Sequence, residues 1–225
     1  MSIAITSAIE LHRVSRVYGS FAALRNVSLT VPAGASVVVV GENGAGKSTL
    51  LRLLAGLVSP SYGTVTLFGG AAREQVDRLA YMSHETMLYD ELTGVENLRY
   101  FAALQGVRAE RVEEALHSVG LDPAIPRRVG EYSQGMRQRA SLARVLLTQP
   151  DLLLLDEPFS NLDVASARHM VELLQAYVAG RNGDGLPRTL LLTTHQHELA
   201  RPLAEMTLTL QAGQVVSLEG AGVTH

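Results

Sequence analysis

Gly41-Glu42-Asn43-Gly44-Ala45-Gly46-Lys47-Ser48 decides the fold. The run fits the pattern G-x-x-x-x-G-K-[ST]. It follows Ser36 and four consecutive valines, which read as a strand buried on both faces. It opens a segment in which Leu50, Leu51, Leu53, Leu54 and Leu57 recur on a helical period. Strand, glycine loop and helix N-terminus in that order make a nest of backbone N–H groups that favours a polyphosphate. Gly41, Gly44 and Gly46 allow backbone angles and close approaches that a Cβ would block. The expected nucleotide-binding set is therefore Gly41, Glu42, Asn43, Gly44, Ala45, Gly46, Lys47, Ser48 and Thr49. Lys47 is expected to reach the β- and γ-phosphates, and the Ser48 hydroxyl to ligate Mg²⁺.

The charge inventory supports that reading. Lysine and arginine together number 19, and Lys47 is the only lysine among them. A GC-rich genome explains the arginines but not the exception. Residues 152–158, Leu-Leu-Leu-Leu-Asp-Glu-Pro, form the second motif. Four leucines make a buried strand whose end delivers two carboxylates. Asp156 is expected to hold Mg²⁺, and Glu157 to polarise the attacking water. Pro158 cannot continue a central strand. A third apolar stretch, 189–192, leads into Thr193-Thr194-His195. A histidine at the C-terminal end of a parallel strand lies where such sheets bind ligands, so His195 is a candidate γ-phosphate contact.

Around these motifs the pattern is α/β. Alternating residues Ile9, Leu11, Val14 and then Leu24, Val27, Leu29, Val31 predict two strands about a turn at Tyr18-Gly19-Ser20. Short strands are expected at 63–68 and 78–82. Helices are expected at 95–105, 108–119 and 134–148, and again at 161–179. A polar loop is expected at 182–187, and a hairpin at 206–210 and 215–218. One domain follows: a core of 1–83 and 148–225, interrupted by an all-helical part at about 84–147.

Composition narrows the function. The chain has 225 residues, no cysteine and a net charge of −3. It therefore has no disulfide, thiolate zinc site or cysteine nucleophile. A slightly acidic chain is poorly suited to nucleic acid, whose binding rests on phosphate neutralisation. No apolar run reaches the roughly 18 residues of a membrane span. The opening residues 1–13 lack a basic region followed by a long apolar one, so no secretory leader is expected. The mean hydropathy of +0.14 points to an apolar surface that meets a partner.

The motifs together resemble the nucleotide-binding domain of ABC ATPases. Tyr132-Ser133-Gln134-Gly135-Met136 is similar to that family's signature motif, just before a helix. Ser160-Asn161-Leu162-Asp163 resembles its D-loop, His195 falls at its switch histidine, and Tyr18 at the aromatic that stacks on adenine. The resemblance runs from Tyr18 to His195. It implies a P-loop NTPase (RecA-like) core with an antiparallel β subdomain and an inserted helical subdomain. It implies ATP and Mg²⁺ as ligands. It also implies a homodimer in which Ser133 and Gly135 of one chain face the γ-phosphate held by the other, with Asp163 at the same junction.

Two departures stand out. Gln134 and Met136 replace the usual signature residues while Ser133 and Gly135 are kept. At the Q-loop, His84 stands where a glutamine carbonyl normally offers Mg²⁺ an oxygen, and imidazole is a poorer ligand for so hard a cation. His84 is therefore expected to couple to a partner more than to hold metal. The chain carries no membrane domain, long coiled coil or second ATPase copy. That favours a peripheral subunit at the cytoplasmic face of a membrane, paired with integral transporter subunits docked near 82–90. His84, the run 88–93 (Leu-Tyr-Asp-Glu-Leu-Thr), Glu96-Asn97-Leu98 and 193–196 resemble the heme-exporter ATPases of cytochrome c biogenesis. A drug, lipid or polysaccharide efflux ATPase, and a soluble regulator, are the alternatives.

Overall fold

A computed structural model describes residues 7–182 and 185–220. The first six residues of the opening segment, and two residues of the expected polar loop at 182–187, lie outside the described residues. The chain begins with β1 (Ser7–Tyr18) and β2 (Phe21–Pro32), paired antiparallel. β3 (Ser36–Val40) follows and leads through the glycine loop into α1 (Lys47–Leu54). β4 (Tyr62–Leu67) and β5 (Gly70–Ala71) complete a four-stranded sheet in the order β2-β1-β4-β5. β6 (Leu79–Met82) opens the second half. Then come α2 (Gly94–Leu104), α3 (Glu110–Ser118) and α4 (Gln134–Leu146). β7 (Leu152–Asp156), α5 (Val164–Ala179), β8 (Thr189–Thr193), the short α6 (His197–Ala200), β9 (Met206–Gln211) and β10 (Gln214–Gly220) finish the fold.

The larger sheet runs β10-β9-β3-β8-β7-β6. Every pair in it is parallel except β10 with β9. Side chains alternate across a strand, so each buried strand feeds two cores. Val38, Val40, Leu153, Leu155, Leu190 and Leu192 pack with apolar residues of α2 to α5. Val37, Val39, Leu152, Leu154 and Leu191 pack with α1 and the antiparallel sheet. Continuous apolar strands are what a sheet covered on both faces demands. The fold is α/β, with a P-loop NTPase core, an antiparallel sheet and a run of helices between β6 and β7.

Two expected boundaries move. Leu57 does not belong to α1; it is 63% exposed. The helix closes earlier because Gly56 takes φ +70. The Gly56 N–H donates to Leu53 O at 3.1 Å, and the Leu57 N–H to Arg52 O at 2.9 Å. That is a Schellman closure, which glycine permits at no Cβ cost. At α5 the helix starts at Val164, not at residue 161. Asp163 is its N-cap, accepting from the Ser166 N–H at 2.8 Å, while Asn161 sits at φ +62. The helix α6 and the two-residue β5 were not expected.

Candidate active site

The site lies at the C-terminal ends of β3, β7 and β8, which adjacency in the sheet brings together. Gly41 and Gly46 show why glycine is required. At Gly41 a Cβ would fall 2.3 Å from Leu210 O, and at Gly46, φ +104, it would fall 2.6 Å from Ala23 O. Gly46 caps α1 with no side-chain hydrogen bond. The first-turn N–H groups are thus left for an anion, as at other phosphate-binding helix starts. A cavity of about 390 Å³ beside the loop is lined by Gly41 to Ala45 and Thr209 to Ala212. The uncapped first turn of α1 and the glycines whose Cβ would collide suit the loop to a polyphosphate.

Lys47 is 7% exposed, and its ammonium donates to Gly41 O at 2.7 Å and Glu42 O at 3.1 Å. It is folded back on its own loop, which satisfies its donors where the side chain is buried. Its Nζ also lies 3.9 Å from Glu157 Oε1. Thr49 follows on α1, half-buried.

Asp156 and Ser48 meet as expected: Ser48 Oγ donates to Asp156 Oδ1 at 3.1 Å. Asp156 is 3% exposed, so its lone pairs need partners. Thr193 Oγ1 donates to Oδ1 at 2.8 Å, and Tyr81 hydroxyl to Oδ2 at 3.4 Å. Ser48 and Asp156 bring together two hard oxygen donors, the chemistry Mg²⁺ selects. Among the described residues no cluster of three or more histidine, cysteine or acidic side chains offers another metal centre. Sequence reasoning did not single out Thr193 as an Asp156 partner, or Tyr81 at all. Both contacts cross between strands far apart in sequence.

Glu157 holds a left-handed backbone, φ +52. For a residue with a Cβ this costs about 1–3 kcal/mol and tends to persist where function demands it. Its N–H donates to Thr193 O at 3.1 Å. Its Oε2 accepts from the His195 N–H at 3.2 Å and lies 2.9 Å from His195 Nδ1. Glu157 therefore joins Lys47 to His195, two contacts that the sequence did not announce. His195 itself is exposed on its outer side, and Thr194 anchors the strand end through its N–H to Val39 O.

The signature segment is built at the start of α4. Ser133 is the N-cap, with Oγ accepting from the Met136 N–H at 3.2 Å. Gly135 faces α5 so closely that a Cβ would lie 2.5 Å from Ser166 Oγ. Gln138 Nε2 donates to Pro158 O at 3.2 Å, tying α4 to the loop after Glu157. Arg137 pairs with Asp90, three residues ahead of the α2 cap Thr93. Tyr132 is buried and its hydroxyl accepts from the Gly94 N–H. Asp163 caps α5, and its bonds to Ser166, backbone first and then hydroxyl, hold its carboxyl below its usual range. Ser133, Gly135 and Asp163 are thus neighbours at the α4–α5 junction.

Two expected site residues stand apart. Tyr18 lies at the tip of the β1–β2 turn, 41% exposed, with the Arg16 guanidinium 4.4 Å from its ring centre. His84 is exposed just beyond β6 and shares no hydrogen bond with Asp156 or Ser48.

A phosphate cradle, a lysine, a hydroxyl–carboxylate pair and a glutamate–histidine pair at one sheet edge define a nucleotide-hydrolysing P-loop protein. The family described as "ABC transporter" matches residues 24–160. Bacillus subtilis (strain 168) "ABC transporter ATP-binding protein NatA" is 36% identical over 86% of this chain and 80% of its own length. "Daunorubicin/doxorubicin resistance ATP-binding protein DrrA" of Streptomyces peucetius is 36% identical over 94% of this chain, which spans only 65% of that relative. The dimeric post-hydrolysis structure of the ATP-binding cassette MJ0796 bound to ADP and Pi superposes with a TM-score of 0.81 at 25% identity. That match covers 96% of this chain and all of the other. The chain belongs to the ABC transporter family, as an ATP-binding subunit. It binds ATP with Mg²⁺ and hydrolyses ATP in the service of transport; cassettes of this kind dimerise and pair with membrane subunits. Among the described residues no helix is long and apolar enough to cross a membrane.

Proposed function

We propose that this chain is one half of a head-to-tail ATPase dimer that drives the heme-handling membrane complex of cytochrome c maturation. The observation that carries the hydrolytic half is Glu157, held at φ +52 between the Lys47 ammonium and the His195 ring.

The residues then take these roles. Gly41 to Thr49 wrap the phosphates, and Lys47 exchanges its loop carbonyls for phosphate oxygens. Ser48 and Asp156 would hold Mg²⁺, which would supply neutralisation of phosphate charge. Glu157 takes a proton from water as the water oxygen bonds to the γ-phosphorus. The bond from that phosphorus to the bridging oxygen breaks, and the electron pair leaves with ADP. His195 orients Glu157 and faces the γ-phosphate. Ser133, Gly135 and the positive end of α4 complete the site of the opposite chain, with Asp163 beside them. Tyr18 stacks on adenine. The core, 1–83 and 148–225, and the helical part at about 84–147 are the two bodies that move. The chain sits peripherally at the cytoplasmic face of the membrane and binds no heme itself.

The choice of partner rests on His84 and the segments after it. His84 is exposed, and in the same stretch the Asp90–Arg137 pair links the docking region near 82–90 to the signature helix. A drug, lipid or polysaccharide efflux complex is the second reading, favoured by the match to a drug-resistance relative over nearly the whole chain. A soluble regulator acting on nucleic acid is disfavoured by the net charge of −3.

Glu157→Gln tests the mechanism. It should keep ATP affinity, lower turnover by about 100-fold or more, and accumulate an ATP-bound dimer in light scattering. Wild-type turnover would refute the base assignment. Affinity purification from solubilised membranes tests the partner. Cytochrome c maturation subunits support the heme reading, and another multi-span permease overturns it in favour of efflux.

A further inference from the structure

Asp156 accepts from three hydroxyls, and one of them comes from outside the motifs that usually define such a site. Tyr81 lies on β6, the edge strand of the larger sheet, in register with Leu154 of β7. Alternation puts Leu154 and Asp156 on the same face of β7, the face covered by α1. Tyr81 packs on that face too, while its neighbour Met82 turns into the opposite core. From that face its hydroxyl reaches Asp156 Oδ2 at 3.4 Å. The other oxygen, Oδ1, already accepts from Ser48 and Thr193. The phenol is held above its ordinary range by burial first and by the Asp156 charge second, with Arg52 acting against them.

We propose that Tyr81 is a positioning residue for the ATPase: its hydroxyl fixes the plane of the Asp156 carboxylate, so that Oδ1 is presented to Mg²⁺ alongside Ser48. The inference rests on Asp156 holding the metal. Three features make it specific. Tyr81 is the β6 residue that bonds Asp156, it reaches the oxygen that neither Ser48 nor Thr193 occupies, and it stands three residues ahead of the exposed His84. Movement of the stretch after β6 is thereby tied to the aim of the metal-binding carboxylate, whereas His84 has no bond to it.

The test uses Tyr81→Phe, which keeps the ring packing and deletes one hydroxyl. Binding of a fluorescent ATP analogue is measured for the whole chain in EDTA and then in Mg²⁺. Tyr81→Phe should keep the EDTA affinity within about 2-fold. It should lose about 3- to 10-fold of the gain that Mg²⁺ brings, at the low end for removal of an outer-shell partner because the bond is long. Asp156→Asn, measured beside it, should abolish most of that gain. If Asp156→Asn loses the gain and Tyr81→Phe keeps it in full, Tyr81 does not position the carboxylate. If Asp156→Asn also keeps it, the metal assignment itself fails. A Tyr81→Phe protein that weakens equally in EDTA and Mg²⁺ is merely less well packed, and that too overturns the proposal.

Discussion

Lys47 carries the sharpest prediction of any single side chain. Its ammonium is satisfied by Gly41 O and Glu42 O, so the loop is already shaped around a positive charge. Lys47→Ala removes a charge-assisted donor for phosphate, and ATP affinity should fall about 10- to 100-fold in equilibrium binding. Unchanged affinity would remove the loop from the nucleotide site. The position was legible because one lysine in a chain of arginines fell inside a glycine loop between a strand and a helix. The environment of Asp156 was not legible. Ser48, Tyr81 and Thr193 come from separate segments, and only strand order makes them neighbours. Local periodicity carries no information about strand order, so the carboxylate could be named but not its company.

At the scale of elements, the start of α4 at Gln134 and the end of α5 at Ala179 were readable, whereas the start of α5 and the end of α1 were not. In the structure Ser133, Asp163 and Thr93 cap α4, α5 and α2, each side chain bonding a first-turn N–H; the Asp163 cap is why α5 begins at Val164 and not at 161. The end of α1 was misread because leucine spacing continues past Gly56, whereas the backbone turns at that residue. The junction of α4 and α5 gives two predictions. Gly135→Ala forces a Cβ against Ser166 Oγ and should cost about 1–3 kcal/mol in urea unfolding. Adding Ser166→Ala should recover part of that loss; strict additivity of the two would deny the contact. The second concerns acid. The Asp163 carboxyl is depressed below its ordinary 3.8 in the fold. Its contribution is therefore complete above that value and is lost as pH falls through the lower, folded pKa. Asp163→Asn should flatten the stability profile below pH 3.8 and leave its shape at pH 7 alone. An unchanged acid limb would show that the cap is not titrating there.

For the whole molecule, two cores lie on either side of one sheet, and the nucleotide chemistry occupies the edge where that sheet ends. Three continuous apolar strands made the layering readable, since such strands have no solvent face to spare. The order β10-β9-β3-β8-β7-β6 was not, because parallel neighbours are joined by crossovers of any sequence length. One feature of this arrangement reaches beyond catalysis. A protease that cuts only after lysine meets a single scissile bond in these 225 residues, Lys47–Ser48, and it is sealed inside the first turn of a buried helix. Cleavage must wait for that turn to unravel, so the appearance of fragments 1–47 and 48–225 becomes a clock for local opening of the nucleotide cradle. ATP should slow the clock and leave the fragment pattern unchanged. Cutting at the same rate with and without ATP would mean that the nucleotide does not stabilise that turn.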